Sequence, residues 1–237
     1  MILFHYNLPM SQTKTPPLFL IIVIFLSCAN PEKTPPYDTL PEDAQGISLL
    51  GDTLRSNANL SEMLSIRIDS LILASSSEGD SASASIWRAR LAAYNGDYRE
   101  AIRILSEEIE SGGNDQEMAR FLRHRGHRYI TLRAFDLAIE DFMKAGKLIA
   151  GKEDRVEEDG LPNAQNTPLS SLHTNIWYHL GLAQYLTGDY ESAVSSYDNC
   201  YSASNNDDMR VAALYWKYMS YRKLGLDSEA GALLDEI

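Results

Sequence analysis

Apolar residues recur at helical spacing through most of the chain. Two such sets are Ile176, Leu180 and Ala183, and Ala138, Phe142 and Ala145. Residues spaced three and four apart share one face of an α-helix, so each set marks a helix with one buried side. The pattern therefore predicts that the body of the protein is helical.

Three short blocks of similar sequence separate these helical segments. They begin at Gly96, Arg133 and Gly188 and read GDYREAI, RAFDLAI and GDYESAV, and a weaker fourth block, GLDSEA, begins at Gly225. Each block follows one apolar helical segment and precedes another. The sequence therefore predicts a repeated unit of helix, tight turn and helix.

These units resemble the tetratricopeptide repeat, a helical hairpin of about 34 residues. In the best match, the signature positions of the family carry Trp177, Gly181, Gly188, Tyr190, Ala193 and Tyr197. The resemblance implies an all-α fold, an α-solenoid of about four hairpins at 82–115, 119–152, 174–207 and 211–237, with an insert at 153–173. Thr167-Pro168 is typical of a helix start and predicts that the helix after the insert begins early.

Residues 47–81 are expected to precede this domain as a degenerate helix pair. The apolar stripe of the first helix consists of Leu60, Leu64, Ile68, Leu71 and Ile72. The serine-rich stretch 75–85 is expected to form a flexible loop.

Several residue types inside the repeats have a packing consequence. Gly126, Gly181, Ala138 and Ala193 are expected where two helices approach closely. Arg88, Arg125 and Lys217 occupy a position where the family usually has Leu. A buried cation costs several kcal/mol unless it is paired, so we expect these three to meet carboxylates or to reach solvent.

The N-terminal residues carry the pattern of an export signal. The run LFLIIVIFL at 18–26 follows Lys14 and is too short to span a bilayer, which predicts a signal peptide over 1–27. The stretch FLSC at 25–28, which begins with the last two residues of this run, resembles the lipobox of bacterial lipoproteins. The resemblance implies that Cys28 carries a lipid and anchors the protein in the bacterial cell envelope. An uncleaved anchor, or secretion with Cys28 as a plain thiol, are the alternatives.

The stretch between Cys28 and the helical body is rich in proline. Residues 28–46 contain Pro31, Pro35, Pro36 and Pro41, which favour an extended chain. They are predicted to be a tether. The chain has two cysteines in all, so acylation of Cys28 would leave Cys200 as a buried free thiol.

Charge argues against nucleic acid as a partner. The chain has 21 Lys and Arg against 33 Asp and Glu, a net charge of -12, while 44% of its residues are hydrophobic. Such a composition is typical of a folded globular protein that repels a polyanion.

In proteins that this one resembles, the first helix of each hairpin lines a concave groove that holds the partner. Carried onto this sequence, the groove positions are Trp87, Arg90, Tyr94, Arg120, Arg123, His124, His127, Asn175, Tyr178, His179, Tyr185, Tyr215 and Trp216. The segment 119–134 contains arginine and histidine but no acidic residue. A locally basic and aromatic groove suits a peptide or a partner with exposed carboxylates.

Two alternatives stay open for this groove. The acidic residues of the insert, Glu153, Asp154, Glu157, Glu158 and Asp159, provide enough negative charge to neutralise the arginines internally. The insert itself is either a lid over the groove or a surface loop. The lysines and asparagines with which some family members clamp a carboxylate are not reproduced at the corresponding positions.

The function predicted from the sequence is a non-enzymatic protein-interaction scaffold with no cofactor. One alternative is a lipoprotein that binds glycans by stacking Trp87, Tyr178, Tyr185 and Trp216 on sugar rings. A further alternative, a metal hydrolase, would use His124, His127 and His179. No phosphate-binding glycine loop or nucleophile elbow is present in the sequence.

Overall fold

The computed structural model describes residues 35–48, 50–56, 61–157 and 168–234. In this part of the chain the helices are α1 (Glu62–Ser77), α2 (Ser81–Tyr94), α3 (Tyr98–Ser111), α4 (Asp115–Thr131), α5 (Phe135–Ile149), α6 (Leu172–Thr187), α7 (Tyr190–Ala203), α8 (Asp207–Leu224) and α9 (Asp227–Leu233). A short antiparallel hairpin of β1 (Ala44–Ile47) and β2 (Thr53–Arg55) precedes them. The helical body confirms the predicted fold class.

The helices stack as a solenoid of hairpins. Each helix from α1 to α8 packs against the next one along the chain. The first helices α2, α4, α6 and α8 also contact one another in sequence order. They therefore form one continuous layer, as expected for the inner side of a solenoid.

The repeated Gly-Asp blocks work as paired stop and start signals for helices. Gly96 and Gly188 both have φ of 86°, a left-handed conformation that glycine adopts without strain. The next residue caps the following helix, since the side chains of Asp97 and Asp189 accept hydrogen bonds from the amides of Glu100 and Ser192.

The second block forms the same turn with residues that are less favourable for a left-handed conformation and for a helix cap. Arg133 adopts φ of 57° where the other blocks have glycine, and Ala134 offers no side-chain cap to α5. A left-handed conformation costs a non-glycine residue about 1 kcal/mol. The stability of this turn therefore comes from the packing of the helices on either side.

The close approaches predicted for the small residues are confirmed. A Cβ on Gly126 would lie 2.9 Å from the ring of Phe142, and one on Gly181 would lie 2.8 Å from the ring of Tyr197. Ala138 and Ala193 are completely buried. In these two hairpins, α4 with α5 and α6 with α7, a ring of the second helix therefore packs directly against a glycine of the first.

The three cations at leucine positions behave as expected. Arg125 donates to both carboxylate oxygens of the buried Asp141, at 2.8 and 2.7 Å. The ammonium of Lys217 lies 2.6 Å from the carboxylate of Asp198, and Arg88 is exposed.

The prediction of an extended tether over 28–46 is wrong for its described part, residues 35–46. Pro36–Thr39 form a 3-10 helix, and the ring of the buried Tyr37 stacks on that of Tyr129 with centroids 6.2 Å apart. The guanidinium of Arg99 donates to four backbone carbonyls of this stretch. These contacts hold it against α3 and α4.

The leading elements also differ from the prediction. Instead of a degenerate helix pair, the described residues between Ala44 and the start of α2 form the β-hairpin and one helix, α1. The serine-rich stretch 75–85 is helical except at 78–80, since the side chain of Asp80 caps α2. Two serines of α2, Ser83 and Ser85, are buried. The third hairpin begins with α6 at Leu172, capped by Ser171, so Pro168 lies outside the helix.

No helix in the described residues has the length and apolar character needed to cross a membrane. Cys28 and the predicted signal peptide lie outside the described residues.

Candidate functional site

The predicted groove residues lie on the first helices of the hairpins. We call this surface the inner face: the side of α2, α4, α6 and α8 that carries the predicted residues. Trp87, Arg90 and Tyr94 lie on α2, four more on α4, four on α6, and Tyr215 and Trp216 on α8. Ring contacts join His127 on α4 to His179 on α6, and Tyr185 on α6 to Trp216 on α8. The residues form two groups, an arginine end and an aromatic end.

The arginine end is largely buried. Arg120, Arg123 and His124 are each less than 10% exposed. The Nε of Arg123 lies 2.9 Å from a carboxylate oxygen of Glu157, and Nε2 of His124 lies 3.6 Å from the other. The insert therefore supplies the acid that neutralises Arg123, which supports internal pairing at this position.

Glu157 is held on several sides. Its carboxylate accepts a hydrogen bond of 2.6 Å from the side-chain amide of Asn175. Burial by itself would raise the pKa of Glu157, but the charge of Arg123 and the contacts with His124 and Asn175 outweigh it and hold the pKa well below its usual range. Glu157 is therefore ionised at neutral pH.

Backbone contacts fix the segment that carries Glu157. Val156 and Ser171 form an antiparallel bridge, and the amide of Glu157 donates to the carbonyl of Ser170 at 3.0 Å. The amide of Leu172 donates to the carbonyl of Arg155 at 2.7 Å. The described start of the insert, 153–157, is thus anchored to the first residues of α6. Glu158 and Asp159 lie outside the described residues.

The three histidines of the inner face are held neutral. Burial is the main cause that lowers the pKa of His124 to about 3 and of His179 to about 4, and it also lowers that of His127 well below the usual value. Arg123 and Arg128 donate to Nδ1 of His124 and His127, so in these two rings the proton lies on Nε2.

His179 has the opposite tautomer. Its Nδ1 donates to the carbonyl of Asn175 at 2.7 Å, and its ring lies 4.5 Å from that of His127 between centroids. The three rings thus pack and hydrogen-bond within the layer. Among the described residues no group of three or more His, Cys, Asp or Glu is placed to hold a metal ion.

The aromatic end is formed by α6 and α8. The indole of Trp216 donates to the hydroxyl of Tyr178 at 2.9 Å, and the ring of Tyr185 meets that of Trp216 edge-on at 5.1 Å. Tyr215 packs against Trp216 and is 55% exposed. This end therefore offers ring surface to solvent.

Trp87 does not belong to that open surface. It is 6% exposed, and the guanidinium of Arg90 lies over its ring at 4.3 Å from the centroid. Tyr94 is half-buried. Because the face of Trp87 is already covered, it is not available to stack on a sugar ring, and the glycan alternative loses one of its four proposed residues.

Sequence reasoning missed two arginines of this site. Arg128 lies one helical turn beyond His124, and burial, with the charge of Arg123, lowers its pKa to about 10. Arg155, in the insert, lies 3.7 Å from the carboxylate of Asp80. The helical spacing from His124 signals Arg128, whereas nothing local in the sequence signals the position of Arg155.

Cys200 is completely buried, as predicted. Burial raises the pKa of its thiol to about 12. Its Sγ lies 3.6 Å from the carbonyl of Thr174 on α6, so it fills the space between α6 and α7.

Comparisons with known proteins agree with this architecture. A family model described as "Tetratricopeptide repeat" matches residues 174–207, which contain most of α6 and all of α7. No curated protein matches the sequence.

Solved structures are similar over most of the chain. A crystal structure of MamA protein has a TM-score of 0.51 at 14% identity, covering 74% of this chain and 90% of that one. Two crystal structures of a putative kinesin light chain from Podosopora anserina, described as having nearly identical TPR-like repeats, give TM-scores of 0.51 and 0.50 at 14% identity. The two matches cover 73% and 72% of this chain, and each covers 82% of the kinesin light chain structure. The chain therefore contains a tetratricopeptide repeat and has the fold of a tetratricopeptide-repeat solenoid.

Proposed function

We propose that this protein is a lipid-anchored scaffold of the bacterial cell envelope that binds a peptide or an acidic protein partner on its inner face. Tetratricopeptide repeats generally mediate binding of protein partners and generally have no enzymatic activity. That coarse function follows from the repeat and the fold. The inner face, the partner's charge and the anchor are the parts we add.

One observation carries the choice of an acidic partner. Arg120, Arg123 and Arg128 lie on α4, and the charge of Arg123 is among the causes that lower the pKa of Arg128. Within the described residues, Glu157 is the carboxylate buried in this cluster. A cluster with more cations than buried acids favours a negatively charged ligand, although the chain as a whole is acidic.

The aromatic end supports a peptide as the occupant. Tyr185, Tyr215 and Trp216 present rings beside the arginine end, and aromatic side chains with arginine are enriched among residues that dominate binding energies. An extended peptide can contact both ends of the face at once.

The test is affinity capture from solubilised membranes with paired variants. Tyr215→Ala combined with Tyr185→Ala removes two rings of the inner face, while the control Met143→Ala changes an exposed side chain on the second helix of a hairpin. We expect a partner to be recovered with the wild type and the control, and to be reduced about tenfold with the double variant. Equal recovery with all three would overturn the inner face as the binding surface.

The anchor rests on the sequence around Cys28. An apolar run ending in Ser27-Cys28, followed by four prolines within 31–41, is what supports lipid attachment. Cys28→Ser should move the protein from the membrane to the soluble fraction, whereas Cys200→Ser should leave it on the membrane. Membrane retention of Cys28→Ser would contradict the anchor without affecting the inner face.

A further inference from the structure

A small cavity lies between α2, α4 and the described start of the insert. It has a volume of about 120 Å³ and is lined by arginine side chains from all three segments. Trp87, Arg90, Arg120, His124, Arg155 and Glu157 line it. Since one water takes about 30 Å³ of liquid volume, the space is large enough for a carboxylate group.

Two arginines of this cavity, Arg120 and Arg155, make only long ion pairs with an acid. Arg120 donates to the hydroxyl of Ser83 at 2.7 Å, and its ion pair is the long one with Asp80, at 3.9 Å. Arg155 reaches the same carboxylate at 3.7 Å. Two guanidinium groups therefore share one acid, and neither is within hydrogen-bond distance of it.

Asp80 is already committed to another task. Its carboxylate accepts from the amide of Ser83 at 2.9 Å and from the hydroxyl of Ser83 at 2.6 Å, which caps α2. The other acid at the cavity, Glu157, is paired with Arg123. The charges of Arg120 and Arg155 are therefore balanced only in part by Asp80, which favours one more negative charge beside them.

A neighbouring cavity helps to define the selectivity. It has a volume of about 290 Å³ and shares Arg120 and Arg155, but Glu78, Asp80 and Glu117 also line it. These three carboxylates make it unfavourable for an anion. An anionic group is thus directed to the smaller cavity beside Trp87.

The chain itself shows how an acidic segment lies on this face. Residues 155–157 pair with 170–171 as extended backbone and direct the Glu157 side chain to Arg123. A partner segment in the same extended form would direct a glutamate or aspartate side chain into the adjacent cavity, where guanidinium groups match a planar carboxylate.

We propose that this cavity, completed by Arg155 of the insert, is an anchor site for one side-chain carboxylate of an extended acidic peptide. The inference rests on the proposed function and specifies how the inner face recognises its partner. It gives the insert a role in the site: it supplies a cation to the pocket and also the acid that neutralises Arg123.

The experiment measures fluorescence anisotropy of labelled peptides with the protein carrying Cys28→Ser. The probe is a hexaglutamate peptide with an amidated C-terminus, and hexaglutamine peptides with free and amidated C-termini are the comparisons. Arg155→Gln removes a half-exposed cation of the cavity. Arg103→Gln is the matched control, because it removes the same charge from a similarly exposed side chain on α3, the second helix of its hairpin.

We expect the hexaglutamate peptide to bind, the two hexaglutamine peptides not to bind, and Arg155→Gln to weaken binding about tenfold, with Arg103→Gln near wild type. Equal weakening by both variants would mean that net charge alone is responsible and would overturn the pocket. Preference for the hexaglutamine peptide with a free C-terminus, or absence of hexaglutamate binding, would overturn it as well. Partner capture that depends on Tyr185 and Tyr215 would in each case leave the proposed function standing.

Discussion

The carboxylate of Glu157 lies 2.9 Å from Nε of Arg123, and both side chains are buried. The two residues come from different parts of the chain, the insert and the middle of α4. Without Glu157, Arg123 would be a buried cation among other cations. The insert is therefore part of the stability of the inner face.

Replacing Glu157 tests this directly. Glu157→Gln keeps the size of the side chain and removes its charge, so we expect the free energy of unfolding to fall by about 3 kcal/mol, since a broken buried pair leaves an uncompensated charge. Glu153→Gln changes an exposed acid of the same insert and should stay within about 0.5 kcal/mol of wild type. Urea denaturation measures both, and equal effects would show that Glu157 does not stabilise the fold through Arg123.

The glycine contacts between paired helices make a second prediction, with opposite signs at two sites. Gly181→Ala would place a methyl group 2.8 Å from the buried ring of Tyr197, and overpacking should lower the stability by about 1 kcal/mol or more. Gly231→Ala in α9 meets nothing within 4 Å and should raise it by up to about 1 kcal/mol, because alanine favours the helix. Thermal unfolding of the two variants would contradict the packing if both were stabilised.

Mild acid should destabilise the protein through its buried histidines. The pKa values of His124, His127 and His179 are all lowered in the folded state, so below about pH 6.5 the unfolded chain binds more protons and the folded state loses stability. At pH 5 the loss is about 2 kcal/mol for each histidine that stays neutral.

The matched variant for this effect is His179→Gln. It removes one of the three titrating groups, so the stability difference between pH 7 and pH 5 should shrink by about a third. Urea midpoints at the two pH values measure it. A stability that does not fall between pH 7 and pH 5 would show that the histidines are not held neutral.

The Cys200 thiol should be unreactive in the folded protein. Its pKa of about 12 leaves about a thousandfold less thiolate at pH 8 than an exposed cysteine has, and the sulfur is buried. In the Cys28→Ser background, a disulfide reagent should react slowly without denaturant and rapidly in urea. Rapid reaction without denaturant would place Cys200 at the surface.

Local constraints made the repeats predictable from sequence. The Gly-Asp pairs at 96–97 and 188–189 act within a few residues, since the glycine ends one helix and the aspartate caps the next. The contacts of Gly126 with Phe142 and of Gly181 with Tyr197 have the same local character, because both members of each pair belong to one hairpin.

Contacts between distant parts of the chain were not predictable in the same way. The prolines around Tyr37 predict an extended tether. In the fold, however, the ring of Tyr37 packs on Tyr129 and the carbonyl of Tyr37 accepts a hydrogen bond from Arg99, and both partners lie far along the sequence. At the inner face, the number of acidic residues in the insert indicated internal pairing as one alternative. Only the fold shows that Glu157 forms an ion pair with Arg123 and that Arg155 lines the cavity beside Trp87.

Site-specific photo-crosslinking in living cells tests the central claim most directly. A benzophenone amino acid in place of Tyr185 on the inner face, or of Met143 on α5 as the control, reports which surface the partner touches. We predict a crosslinked protein partner from position 185 and none from position 143. Crosslinks from position 143 alone would contradict binding at the inner face.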